Sequence, residues 1–144
     1  MRALIIFLFC LSASFGYAQD SVVVPAPAGA AGQIEDFMEV TKSAVANTPR
    51  PGKAVPAETR ADVNRLLIIS ANDFLRALRE NPTKEAYLAC LDKGLTRVAP
   101  LTASTADRQQ VADFYQELVE IVGLASSEGR LATFVAQQTS AAKQ

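Results

Sequence analysis

The 144-residue sequence predicts an all-α fold: a compact, bundle-like domain of about five helices behind a signal peptide and a flexible leader. Three observations predict it. Apolar residues recur at the three-four spacing of a buried helical stripe along most of the chain. Proline and glycine punctuate that pattern at intervals of one helix length, as at Thr48-Pro49-Arg50-Pro51-Gly52, Asn81-Pro82 and Pro100. Hairpin signals are missing, with no Asn-Gly or Asp-Gly turn and no sustained polar-apolar alternation.

The chain opens with Met1-Arg2, a largely apolar run from Ala3 to Phe15, and small residues at Gly16 and Ala18. This is the layout of a secretory signal peptide cleaved after Ala18. The apolar run is shorter than the ~20 residues that a membrane span needs. A secreted or periplasmic location is therefore expected, with no membrane span in the mature chain. Residues 1–18 take Arg2 and Cys10 with them, leaving 126 residues with 13 basic and 15 acidic side chains and Cys90 as a solitary thiol. One cysteine cannot close an internal disulfide, so apolar burial must stabilise the domain.

Residues 19–32 combine Pro25, Pro27, glycine and alanine, and read as a flexible or extended leader. Val22-Val23-Val24 is a candidate to dock as a short extended segment. A single all-α domain is expected over residues 33–144. Its first helix spans about 33–47, with Ile34, Phe37, Met38, Thr41 and Val45 on the buried stripe and Glu35, Asp36 and Glu39 near the positive end of the dipole. The second spans about 58–80 and opens on Thr59-Arg60-Ala61-Asp62, which has the spacing of a capping box. Four consecutive aliphatics, Leu66 to Ile69, cannot all face one partner, so this helix should have neighbours on two sides.

Thr83 is the N-cap candidate for a third helix, about 83–98, with Tyr87, Leu88, Leu91, Leu95 and Val98 inward. Gly94 falls inside that stripe. It costs about 1 kcal/mol of helix propensity, which close approach by another helix would offset. Ser104 with Asp107 opens the fourth helix, about 105–122, and Gly123 suits its C-terminal turn. Ser126 or Ser127 should cap a last helix over about 127–139, with Leu131, Phe134 and Val135 inward.

The stretch Asp113-Phe114-Tyr115-Gln116-Glu117-Leu118-Val119-Glu120-Ile121-Val122-Gly123-Leu124-Ala125-Ser126-Ser127-Glu128-Gly129-Arg130-Leu131 resembles the C-terminal signature of a bacterial family known only as domain of unknown function 4844. The specific likeness covers about 20 residues, and Ala125 stands where that pattern has an acidic residue. The resemblance implies a small all-α protein and brings no catalytic residues with it.

Composition narrows the chemistry. With no histidine, imidazole-ligated metals, Ser-His-Asp and Cys-His catalysis and His-held haem are excluded. A formal net charge of −1 argues against a nucleic-acid binder, which needs a basic excess. No phosphate loop, cysteine pair or calcium-loop spacing occurs. No catalytic, cofactor or metal residue is therefore expected. Cys90 lies at the edge of its helix stripe without a histidine to activate it and reads as a half-buried structural thiol. Arg65, Asn72, Arg76 and Arg79 share one face of the second helix, while Asp113, Glu117 and Glu120 share one of the fourth. The arginines Arg65, Arg76 and Arg79 form a candidate partner surface, and Asp73–Arg76 and Arg76–Glu80 have the spacing of intrahelical pairs. Ser126 and Ser127, with the exposed amides at the start of the last helix, form a candidate anion site. The functional expectation is a non-enzymatic binding domain whose partner is another envelope protein or a small ligand. The alternatives are an inhibitor or immunity-type protein and a carrier of a small apolar ligand.

Overall fold

A computed structural model describes residues 21–47 and 57–137. Residues 1–20, which hold the expected signal peptide, the proline-rich stretch 48–56 and residues 138–144 lie outside the described residues. Five helices follow one another: α1 (Ala30–Asn47), α2 (Ala57–Glu80), α3 (Lys84–Val98), α4 (Thr105–Ile121) and α5 (Arg130–Ala136), with a 3-10 turn at Ala99–Leu101 after α3. Among the described residues the only extended pairing is one antiparallel bridge, Val23 with Thr83.

Helix α2 is the centre of the assembly. It packs against α1, α3 and α4, as its apolar run requires: Leu67, Ala71, Phe74, Leu75 and Ala77 are buried, and Ile68 is half-buried. Ile69 is left on the solvent side, 40% exposed. The helix begins at Ala57, so Thr59 lies inside its first turn and not at the cap. Asp62 is free to pair with Arg65 at 3.2 Å.

The predicted α3 forms, with the Thr83 hydroxyl accepting from the Ala86 N–H at 3.2 Å. Every expected inward residue of α3 is buried. Gly94 faces α4 so closely that a Cβ there would lie 2.3 Å from Tyr115 Oη. Tyr115 is fully buried, and its hydroxyl donates at 2.8 Å to Ser70 of α2, whose hydroxyl donates to the Leu66 carbonyl. One aromatic side chain thereby joins α2, α3 and α4.

The capping box at Ser104 and Asp107 is present on α4. Its far end closes with the Gly123 N–H on the Glu120 carbonyl and the Leu124 N–H on the Val119 carbonyl, both 3.0 Å. This is the Schellman pattern, which needs the left-handed conformation that Gly123 adopts at φ +73°. Leu124, buried, seals the corner.

Beyond Thr59, the structure departs from expectation at three places. Helix α1 starts at Ala30, three residues early, because Gly29 turns the chain at φ +79° and the Gln33 N–H already bonds the Gly29 carbonyl. No acidic residue then falls in its first turn; Glu35 pairs instead with Arg79 at 2.7 Å and Glu39 with Lys42. Helix α5 starts at Arg130, not at 127, because Glu128 (φ +53°) and Gly129 (φ +79°) are both left-handed and delay the first helical turn. At its other end, Gln137 is already extended.

The third place is the leader, read as flexible or extended, where the candidate segment Val22–Val24 packs on the helices. Val22–Val24 docks: the Val24 N–H donates to the Pro82 carbonyl at 2.8 Å and the Lys84 N–H to the Val22 carbonyl at 2.9 Å. Val24 joins the hydrophobic core, and Pro25 and Pro27 lie across Gly123, where a Cβ would come within 3.2 Å of the Pro27 ring. Replacing Val24 with aspartate should lower stability by about 2 kcal/mol, the scale for burying an unpaired polar group. A denaturation midpoint equal to that of the unchanged protein would contradict this packing.

Candidate functional surface

Arg65, Arg76 and Arg79 are exposed along α2, and each is tied down. Arg65 pairs with Asp62, Arg76 with Asp73 at 2.9 Å, and Arg79 reaches across to Glu35 of α1. Asn72, between them, donates to the Ile68 carbonyl at 3.0 Å. Arg76 takes Asp73 as its partner and not Glu80. Beside the row, between α1 and the first half of α2, is an open groove of about 310 Å³ lined by Lys42, Ala61, Asn64, Arg65, Ile68 and Ile69.

On its other side the row meets α3 at Asp73, which sequence reasoning placed only as one half of an intrahelical pair. The residue is 9% exposed. Its carboxylate accepts from Arg76 of its own helix, accepts from Arg97 Nη1 at 2.8 Å, and stands 3.6 Å from Lys93 Nζ. The available signal was the i, i+4 spacing of Lys93 and Arg97 on α3, three and seven residues after Cys90.

Cys90 is half-buried at this seam, with its thiol 3.6 Å from the Asp73 carbonyl oxygen. Burial foremost, and then the Asp73 carboxylate, push the thiol pKa up against the opposing pull of Arg76, Lys93 and Arg97. Native Cys90 should therefore react with iodoacetamide at neutral pH at least about tenfold more slowly than in denaturant. Mass spectrometry of the Cys90 peptide checks this, and equal rates would overturn it.

The two core tyrosines behave alike. Burial pushes Tyr115 up to about 12 and raises Tyr87 as well. In the chain without residues 1–18 they are the only tyrosines. A folded pKa above the unfolded one means that the stabilising, protonated form is complete below about pH 10 and is lost as pH rises toward about 12. Tyrosinate absorbance should accordingly stay flat past pH 10 and rise together with unfolding. Tyr87 Oη has no hydrogen-bond partner although it is fully buried and its ring stacks on Phe74. Tyr87→Phe should hence leave stability unchanged or raise it by up to about 1 kcal/mol. A clear loss in chemical denaturation would sink that expectation.

The serine site does not form as expected. Gly129, with no side-chain cap bond, is the N-cap of α5. Ser126 Oγ accepts from the Glu128 N–H at 2.9 Å, and the Ser127 carbonyl accepts from the Arg130 N–H at 3.2 Å, so both serines serve the turn that precedes the helix. That turn is fastened to α3 by Arg130, which donates to Asp92 at 2.8 Å and to Glu128 at 3.1 Å, and by the Lys84–Glu128 pair. These partners hold Glu128 below the usual carboxylate range, its bonds to Lys84 and Arg130 foremost.

Among the described residues no three Cys, Asp or Glu side chains gather as a metal-ligand set, and no helix is long and apolar enough to cross a membrane. No curated protein and no solved structure matches the chain. A family model does, over residues 25–139, which includes the docked proline segment, all five helices and the Gly123–Arg130 turn. The chain belongs to the family described as a domain of unknown function, DUF4844.

Proposed function

We propose that this protein is an exported, non-enzymatic binding domain that docks a partner protein through the outer face of α2. One observation carries the reading: Ile69, 40% exposed, stands on the solvent side of the central helix at the edge of the groove it shares with Lys42, Arg65 and Ile68. An apolar side chain framed by arginine is the composition that favours protein interfaces. Export rests on the signal-peptide layout of residues 1–18. The non-enzymatic role is supported by a sequence without histidine and by a thiol whose surroundings favour its protonated form.

An inhibitor or immunity-type role is the narrower version of the same reading, in which the partner is an enzyme. The carrier reading is less well supported, because the centre of the core is filled by Tyr87, Tyr115, Phe74 and Leu91, all at 0% exposure. The test is a photo-cross-linking amino acid at position 69, with position 116 on the exposed side of α4 as control, in the cells that make the protein. One product of fixed mass from position 69 alone is expected. Equal labelling from both positions, or none, would refute docking through α2. Amino-terminal sequencing of the same material should begin at Gln19.

A further inference from the structure

The seam between α2 and α3 carries a charge imbalance at one point. Arg65–Asp62, Arg79–Glu35 and Lys42–Glu39 are pairings of one cation with one carboxylate. At Asp73 three cations, Arg76, Lys93 and Arg97, share one carboxylate. The anion is the inner member, its side chain 12% exposed, whereas Arg76 and Lys93 are 60% and 54% exposed. Each arginine gives Asp73 one N–H, from Nη2 of Arg76 and Nη1 of Arg97. The Lys93 ammonium stands beyond hydrogen-bond distance, at 3.6 Å. Three cations thus face one carboxylate, one helical turn after the exposed Ile69 on α2, in a chain whose formal net charge is −1.

We propose that this knot is the anchor for an acidic side chain of the partner protein; the inference rests on the docking role of α2 proposed above. Asp73 itself shows what these cations hold, a carboxylate taken by charge-assisted N–H bonds. A glutamate or aspartate from the partner takes the outward N–H groups of Arg76 and Lys93, while Arg97, 27% exposed, stays below as the fixed positive charge on Asp73. Ile69 offers the neighbouring residue an apolar contact. The partner segment therefore alternates acidic and apolar residues, and attraction by the net positive knot steers its approach.

The test is a chemical-shift titration of the purified protein with a short peptide of alternating Glu and Leu, its Gln-Leu counterpart, and inorganic phosphate. Amides of residues 73–76 and 93–97 should shift with the Glu peptide, and salt should weaken the effect. R76Q/K93Q should weaken it by about fivefold while leaving the Asp73–Arg97 bond in place. K93Q alone, which removes no hydrogen bond, serves if the double variant melts early. Equal shifts from the Gln peptide, an unchanged response in the variants, or tighter binding of phosphate than of the Glu peptide would overturn the anchor. Cross-linking from position 69 separates the two proposals. Undiminished cross-linking in R76Q/K93Q leaves docking through α2 standing and removes the acidic anchor, whereas its failure in the unchanged protein removes the docking reading itself.

Discussion

Replacing Gly94 with alanine is expected to destabilise the protein by about 2 kcal/mol, although it improves helix propensity by about 1 kcal/mol. The new Cβ would lie 2.3 Å from Tyr115 Oη, 2.7 Å from Cζ and 2.8 Å from Cε1. Tyr115 cannot swing aside: it is fully buried, its hydroxyl is bonded to Ser70, and its ring stands edge-on to Phe114 at 5.6 Å. Either the ring leaves Ser70 or α3 moves away from α4, and both open the centre of the core. Thermal and chemical denaturation read the loss directly, and a variant at least as stable as the parent would contradict the close approach. The double variant Gly94→Ala/Tyr115→Leu has room where the single variant does not. It should be more stable than the sum of the two single losses by about 1 kcal/mol or more, as residues in contact usually are when coupled.

Asp73→Ala is expected to cost about 2 kcal/mol, less than the 3–5 typical of a fully buried pair, because two of its three cations can turn to water. The loss falls on the tie between α2 and α3, where Arg97 would be left without its carboxylate and close to Lys93. Added salt should recover part of the stability in the alanine variant by screening that repulsion. The change also reaches Cys90. The Asp73 carboxylate helps to push the thiol pKa up, while Arg76, Lys93 and Arg97 pull it down. Without the carboxylate the thiol should ionise at lower pH, so the pH profile of Cys90 alkylation in Asp73→Asn should move to lower pH. An unmoved profile would detach the thiol from the cation cluster.

Where local chemistry decides the structure, the amino-acid sequence is a sufficient guide. Thr83 caps α3, Ser104 and Asp107 box α4, Gly123 closes it, and Gly94 lies where the stripe of α3 places it. The breadth of the apolar face of α2 likewise foretells its central position. The misjudged points are those that depend on distant partners or on unusual backbone. Val22–Val24, no more than a candidate from its residue types, docks because carbonyl and amide groups at Pro82 and Lys84, some sixty residues away, supply the pairing. Helix α1 begins at Ala30, a residue without a capping side chain, because the left-handed Gly29 turns the chain and its carbonyl accepts the first helical bond. Helix α5 starts late because Glu128 adopts a left-handed conformation that its residue type does not suggest. The candidate surface follows the same division. The arginine row is readable from periodicity, but the convergence of Arg97 and Lys93 on Asp73 depends on the pairing of two helices, and only the tertiary structure supplies it.

The docked amino-terminal segment has a consequence for hydrogen exchange. It holds on by two main-chain bonds, one buried valine and a proline laid over Gly123, while Val22 and Val23 remain 58% and 65% exposed. So few buried contacts make a unit that opens on its own, without the helices unfolding. The amides of Val24 and Lys84, the two donors of the bridge, should then exchange with solvent at a common rate faster than those of Leu91 or Leu118, which lie at 0% exposure in the core. Pro82 links α2 to α3, and Gly123 closes α4. Each such opening therefore releases a clasp between the Pro82 corner of α2 and α3 and the Gly123 corner of α4, while the helices keep their own packing.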